Sequence, residues 1–100
     1  MHPLHIALHD GFKGNAVVIT VDGRGVYNKS SVTTDLSLSR ADAFDTQVAS
    51  NTVRIEVSVE PGSHKASAEI DVTQHPFVAV TLERDGSISF QTSDEPFRYM

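Results

Sequence analysis

A chain of 100 residues has the length of one domain and is long enough to bury roughly two-thirds of the surface its unfolded form exposes. It has no cysteine, which excludes disulfides and thiolate metal sites and fits a reducing, cytoplasmic location. Thirteen acidic residues against eight basic ones leave a formal charge of −5. The cations, Lys13, Arg24, Lys29, Arg40, Arg54, Lys65, Arg84 and Arg98, are scattered, whereas nucleic-acid binding needs them clustered to displace phosphate counterions.

The chain starts "MHPLHIALHD". A signal peptide needs a basic start, a longer apolar stretch and a small-residue cleavage site, and none is visible. No apolar run approaches the roughly 20 residues of a membrane-spanning helix, so no membrane partner is expected. Within this stretch Leu4, Ile6 and Leu8 alternate with His5, Ala7 and His9, the period of a strand with one buried face. "AVVITV" follows as a nearly continuous apolar run and reads as a central strand.

"VDGRG" (21–25) raises the question of a phosphate loop. A Walker loop needs G-x-x-x-x-G-K-[ST] opening a helix, whose first amides bind the phosphate. Here Gly25 is followed by Val26, and "VYNKSSVTT" is β-branched and alternating. The stretch is therefore read as a hairpin turn, with Asp22, Gly23 and Gly25 supplying positive φ.

Beyond it, "SVTTDLSLS" places Val32, Thr34, Leu36 and Leu38 on one face. "LSRADAFDTQVASN" alone has helix-compatible composition, and a short helical turn between Ser39 and Val48 or a long crossing loop is expected there. "TVRIEVSVE" alternates again, with Val53, Ile55, Val57 and Val59 inward. "ASAEIDVT" puts Ala66, Ala68, Ile70 and Val72 inward, "FVAVTLE" Val78, Val80 and Leu82, and "SISFQ" Ile88 and Phe90. "DGFKGN", "EPGSH", "QHP" and "RDGS" are turn signals between these runs. Seven to eight one-sided strands predict an all-β fold, an antiparallel β-sandwich of immunoglobulin-like or transthyretin-like type, filling residues 1–100 as one domain. Its expected core is Ile6, Ile19, Val53, Ile55, Val57, Ile70, Val80 and Phe90.

The hairpin "TVRIEVSVEPGSHKASAEIDVT" allows two registers that keep the apolar faces together. One sets Val59 against Ala66 and opposes Glu56 to Glu69, although it also joins Arg54 to Asp71. The other sets Val59 against His64 and Arg54 against Glu69. Cross-strand pairs contribute roughly 0.2–1 kcal/mol each, so the like-charge pair disfavours the first. The second also needs only the loop Glu60 to Ser63, and it is the register predicted, with a type II turn at Pro61-Gly62 and a half-buried His64.

Candidates for chemistry are few. His2, His5, His9, His64 and His75 invite a metal, but on a strand His5 and His9 stand about 13 Å apart, too far to share one zinc. They are read as solvated. Glu69-Asp71, Asp42-Asp45 and Asp94-Glu95 are close in sequence. Glu69 and Asp71 lie about 6.6 Å apart on one strand face, a spacing that any two outward acids share. No calcium loop and no nucleophile elbow is present. There is no Trp. Tyr27, Tyr99, Phe12 and Phe77 are the rings that a sugar would need, although Phe12 and Phe77 equally suit the ends of a core. No catalytic, cofactor-binding or metal-ligating residue is assigned, and no cofactor is expected.

"VVITVDGRGV" and "VEPGSHKASAEIDV" resemble the strand-VDG-strand and PG-x-H hairpins of PEGA-like modules and, more loosely, transthyretin-like and immunoglobulin-like sandwiches of bacteria. The resemblance covers roughly half of the chain, and "RADAFDTQVASN" interrupts it. It implies a non-catalytic, surface-presenting domain and carries over no functional residue. The expected role is binding to a protein partner or to itself through an edge strand. A carbohydrate- or metal-binding module and a small hydrolase with an unrecognised site are the alternatives.

Overall fold

The computed structural model describes residues 2–34, 41–60 and 62–95. These residues form eight strands: β1 (His2–Leu8), β2 (Lys13–Val21), β3 (Arg24–Thr33), β4 (Asp42–Val48), β5 (Thr52–Glu60), β6 (His64–Asp71), β7 (Phe77–Leu82) and β8 (Ile88–Ser93). One sheet runs β4, β1, β7, β8 and the other β3, β2, β5, β6. Neighbours are antiparallel except β1 and β7, which pair parallel from His5↔Phe77 to Leu8↔Val80. The result is the expected sandwich with one parallel seam.

Period-two alternation builds the core. Leu4, Ile6 and Leu8 of β1, Val17, Ile19 and Val21 of β2, and Val53, Ile55, Val57 and Val59 of β5 turn inward and are at most 3% exposed. Val78 and Val80 of β7 and Ile70 of β6 join them. Phe12 caps the core at 1% exposure. Of the eight expected core residues only Phe90 is half-buried, because β8 is an edge strand with one flank open. Alternation alone places Ala7 outward with His5. It is buried, since β1 lies between β4 and β7 rather than at an edge.

The "VDGRG" stretch is a turn. β2 ends at Val21 and β3 starts at Arg24, leaving Asp22 (φ 51) and Gly23 (φ 82) as a two-residue hairpin loop. Positive φ at both positions is the type I′ geometry that matches strand twist. Gly25 is not among the positive-φ residues. It sits beside a bulge instead, where Ile19↔Tyr27 is followed by Thr20↔Gly25.

The helix-compatible stretch needs correction. Asp42–Val48 is strand β4, paired with β1 from Leu8↔Asp42 to His2↔Val48. Its composition conceals a period-two pattern in which Phe44, Thr46 and Val48 turn inward. Pairing with an open flank of β1 outweighs a weak helical preference. Of the face read in "SVTTDLSLS", Val32 and Thr34 are buried, while Leu36 and Leu38 lie outside the described residues.

β5 and β6 take the predicted register, with Arg54↔Glu69 and Val59↔His64. Gly62 has φ 101. Pro61, on which the type II assignment rests, lies outside the described residues. Ile55 is fully buried. Ile55→Ala should cost about 2–5 kcal/mol, and Arg54→Ala, on the exposed face, less than about 0.5 kcal/mol. Urea titration of both variants checks the pair, with the slope unchanged and only the midpoint moved.

Candidate functional site

The histidines fall in different settings. His5 stands directly opposite Asp45 and next to Phe77 on the outer face of the first sheet. Its Nδ1 lies 2.5 Å from Asp45 Oδ1, and its ring stacks on Phe77 at 4.6 Å and 14°. Strand periodicity alone makes it a solvated side chain, but it is half-buried and bonded. Nothing local could reveal this, because Asp45 is forty residues away and lies in the stretch whose composition favours helix. His9 continues β1, its N–H bonded to the Val80 carbonyl and its own carbonyl accepting from Thr34 Oγ1. His75 closes a turn on the Asp71 carbonyl. His64 opens β6.

A histidine held by a carboxylate is the first half of a general base, and a nucleophile within hydrogen-bond reach is the second. The next hydroxyl on the same row of the sheet is Ser93, beyond Phe77. Two strand spacings, roughly 10 Å, separate it from His5. The adjoining row is Ala43, Ala7 and Ala79. Asp45 therefore orients a surface imidazole against an aromatic ring. Among the described residues no three His or acidic side chains gather as a metal site.

The carboxylate pairs read from sequence do not converge either. Asp71 accepts from the Thr73 hydroxyl at 2.6 Å and from the Thr73 and Gln74 amides, so it serves its own turn while Glu69 stays on the strand. The Thr73 hydroxyl, with those two amides, holds the Asp71 carboxyl below its usual value despite some desolvation. Asp94 and Glu95 are exposed just beyond β8. Asp42 and Asp45 part completely. Asp42 points to the second sheet, where Tyr27 Oη donates to its Oδ2 at 2.8 Å and Lys29 Nζ at 3.3 Å. Tyr27 also stacks on Phe44 at 4.8 Å, while Tyr99 lies outside the described residues. This cluster ties edge strand β3 to edge strand β4 and closes one side of the sandwich.

The opposite side is different. There β6 and β8 lie beside each other as the two remaining edges. At one end of the sandwich the β1–β2 loop, the β5–β6 turn and the β7–β8 turn surround a cleft of about 640 Å³. Lys13, Asn15, His64, Leu82, Arg84 and Gly86 line it. The cleft at the other end, beside Arg24 and Gln47, measures about 270 Å³. Pockets of 300–1,000 Å³ are the usual size for small ligands. His64 lines the larger cleft. A Cβ on Gly62 would collide with its Nε2, and one on Gly86 with its Cε1. Two glycines thus make the slot for one imidazole. Sequence marks each as a turn residue, with no sign that two distant turns meet on one ring.

No protein-family model, curated protein or solved structure matches the chain.

The Tyr27–Asp42 bond generates a test in pH. Burial raises the Asp42 carboxyl, but the bonds from Tyr27, the Ala43 amide and Lys29 outweigh it and leave the group below its usual 3.8. Burial, then the bond to Asp42 and its charge, push the Tyr27 phenol well above 10.0. A depressed carboxyl stabilises the fold above its unfolded value and loses that contribution as pH falls through the folded one. A raised phenol stabilises below its unfolded value and loses it as pH climbs. The link should hold between about pH 4 and pH 10. Tyr27→Phe should cost about 1 kcal/mol inside that window and flatten both limbs of the stability profile. Urea midpoints of the two proteins across pH check it, and parallel profiles would show that the bond does not stabilise.

Proposed function

We propose that this protein is a non-catalytic β-sandwich that self-associates through β8, an edge strand of its first sheet that carries no charge. The observation that carries the reading is a contrast among four edges. A free edge offers a row of unpaired backbone donors and acceptors, and proteins protect it with charge, bulges or cover. β3 slips register against β2 at three points, has Ser31 at φ 60, and carries Arg24 and Lys29. β4 carries Asp42 and Asp45 and is covered by Tyr27 and Lys29. β6 carries Lys65, Glu69 and Asp71. β8, "ISFQTS", has no charged residue and no proline, and its ladder with β7 runs from Leu82↔Ile88 to Phe77↔Ser93 without a shift.

The occupant is a second copy. Antiparallel pairing about a two-fold axis would extend the first sheet to eight strands, an isologous contact that closes on itself. Opposed residues share a face, so the axis passes through Phe90 or Gln91. An axis at Phe90 would bring Glu95 opposite Asp85 of the other copy. An axis at Gln91 opposes Glu95 to Ser87 and Ser93 to Ser89, with the two Gln91 amides facing each other. Avoidance of the acidic pair favours Gln91. The resemblance to PEGA-like hairpins implies the same kind of role, a domain that presents a surface. Strand addition alone buries little area, so the dimer is weak and concentration-dependent.

Sedimentation velocity at rising concentration should show mass growing from 10.9 kDa toward twice that value. Gln91→Lys adds two facing ammoniums at the axis on an exposed position and should hold the protein monomeric, with stability changed by less than about 0.5 kcal/mol. A wild type that stays monomeric, or a variant that dimerises equally, overturns the reading.

A further inference from the structure

We propose that the cleft at the turn end binds an oxyanion, the phosphate or carboxylate group of a small molecule, between Lys13, His64 and Arg84. The proposal is independent of β8 pairing. Its first ground is charge. In a chain of net charge −5, three of the side chains lining this cleft are cationic or can become so. Neither Lys13 nor Arg84 forms an ion pair among the described residues, where the salt bridges join His5 to Asp45, Lys29 to Asp42 and Arg54 to Glu56. Desolvating walls strengthen such a field relative to open solvent.

The second ground is what the nearby carboxylates do. Glu83 also lines the cleft, yet its Oε1 accepts from the Ser89 hydroxyl at 2.8 Å. Asp85 accepts from the Ser87 amide at 2.9 Å and its hydroxyl at 2.7 Å, and it feels the charge of His64 only as a minor influence. Glu60 caps Ser63. These oxygens are held by neutral donors of their own turns, and none of the three acids pairs with Lys13 or Arg84 among the described residues.

The third ground is the imidazole. His64 is half-buried, and its ring lies against the backbone of both Gly62 and Gly86. No hydrogen bond to its ring nitrogens is made among the described residues. Neutral imidazole carries one N–H donor and imidazolium two, so the ring adds a hydrogen-bond donor to the cleft lining. Asn15 shapes the wall rather than binding: its Oδ1 accepts from the Lys13 amide and its Nδ2 donates to the Glu60 carbonyl. That pair of bonds holds the start of β2, and with it Lys13, at the cleft. A ring donor and two long-stemmed cations lining one cleft are the kind of set that takes an oxyanion, with the arginine fork matching its planar or tetrahedral oxygens.

The test is an NMR titration of the full chain with inorganic phosphate and, separately, with citrate, following the His64 ring and the Gly62 and Gly86 amides. Sodium chloride at matched ionic strength controls for screening. Saturable shifts with a Kd of about 1 mM or tighter are expected for at least one anion, and the anion that saturates identifies the chemistry. The double variant Lys13→Gln, Arg84→Gln changes two exposed positions and should weaken binding at least about tenfold. His64→Phe keeps a ring in the slot, removes its donors and should weaken binding as well. Gln91→Lys should bind as the wild type does, which separates this site from association. No saturable shift with either anion, or equal affinity in the double variant, overturns the proposal.

Discussion

The first sheet hangs on the parallel pairing of β1 with β7. Among the described strands β1 alone joins β4 on one flank to β7–β8 on the other, and its inward residues Leu4, Ile6 and Leu8 are essentially unexposed. A hairpin cannot join parallel neighbours, so the chain has to leave and return. It does so by laying β2 and β3 into the second sheet, β4 into the first, and β5 and β6 into the second before β7 arrives. The seam is therefore made by residues about seventy positions apart. Pairing over such a separation is intrinsically slow, because the entropy of closing long loops is lost before the contacts compensate for it.

The two sides of the sandwich then solve the problem of open edges differently. On the β3/β4 side, Tyr27, Lys29 and Phe44 lock the sheets around Asp42. On the β6/β8 side β6 carries charge and β8 carries none. Charge on an exposed edge prevents strand addition, and its absence permits it. The same asymmetry extends to the ends. At the turn end three connections converge, and the missing side chains of Gly62 and Gly86 leave the space that His64 occupies.

Much of this architecture is legible in the residues alone. Alternation in "TVRIEVSVE" and "ASAEIDVT" identifies strands, inward faces and, through the Glu56–Glu69 conflict, the register that β5 and β6 adopt. Asp22-Gly23 declares a hairpin through its backbone preference alone. Strand β4 escapes because Ala, Asp and Gln in "ADAFDTQV" blur the alternation of Phe44, Thr46 and Val48, and only the neighbouring strand makes that segment extended. Without β4, the partner of His5 is hidden too.

Local sequence determined what neighbouring residues can settle between themselves: which face of a strand is apolar, where the backbone reverses, and which of two hairpin registers avoids opposed charge. These depend on steric and electrostatic terms that act over a few positions. Tertiary structure decided what depends on distant segments. It set β1 in mid-sheet, paired His5 with Asp45 and Tyr27 with Asp42, left β8 as the edge without charge, and drew Lys13, His64 and Arg84 around one cleft. No periodicity encodes those meetings, because they arise when separate strands share one core and the order in which they pair is set by the whole packing.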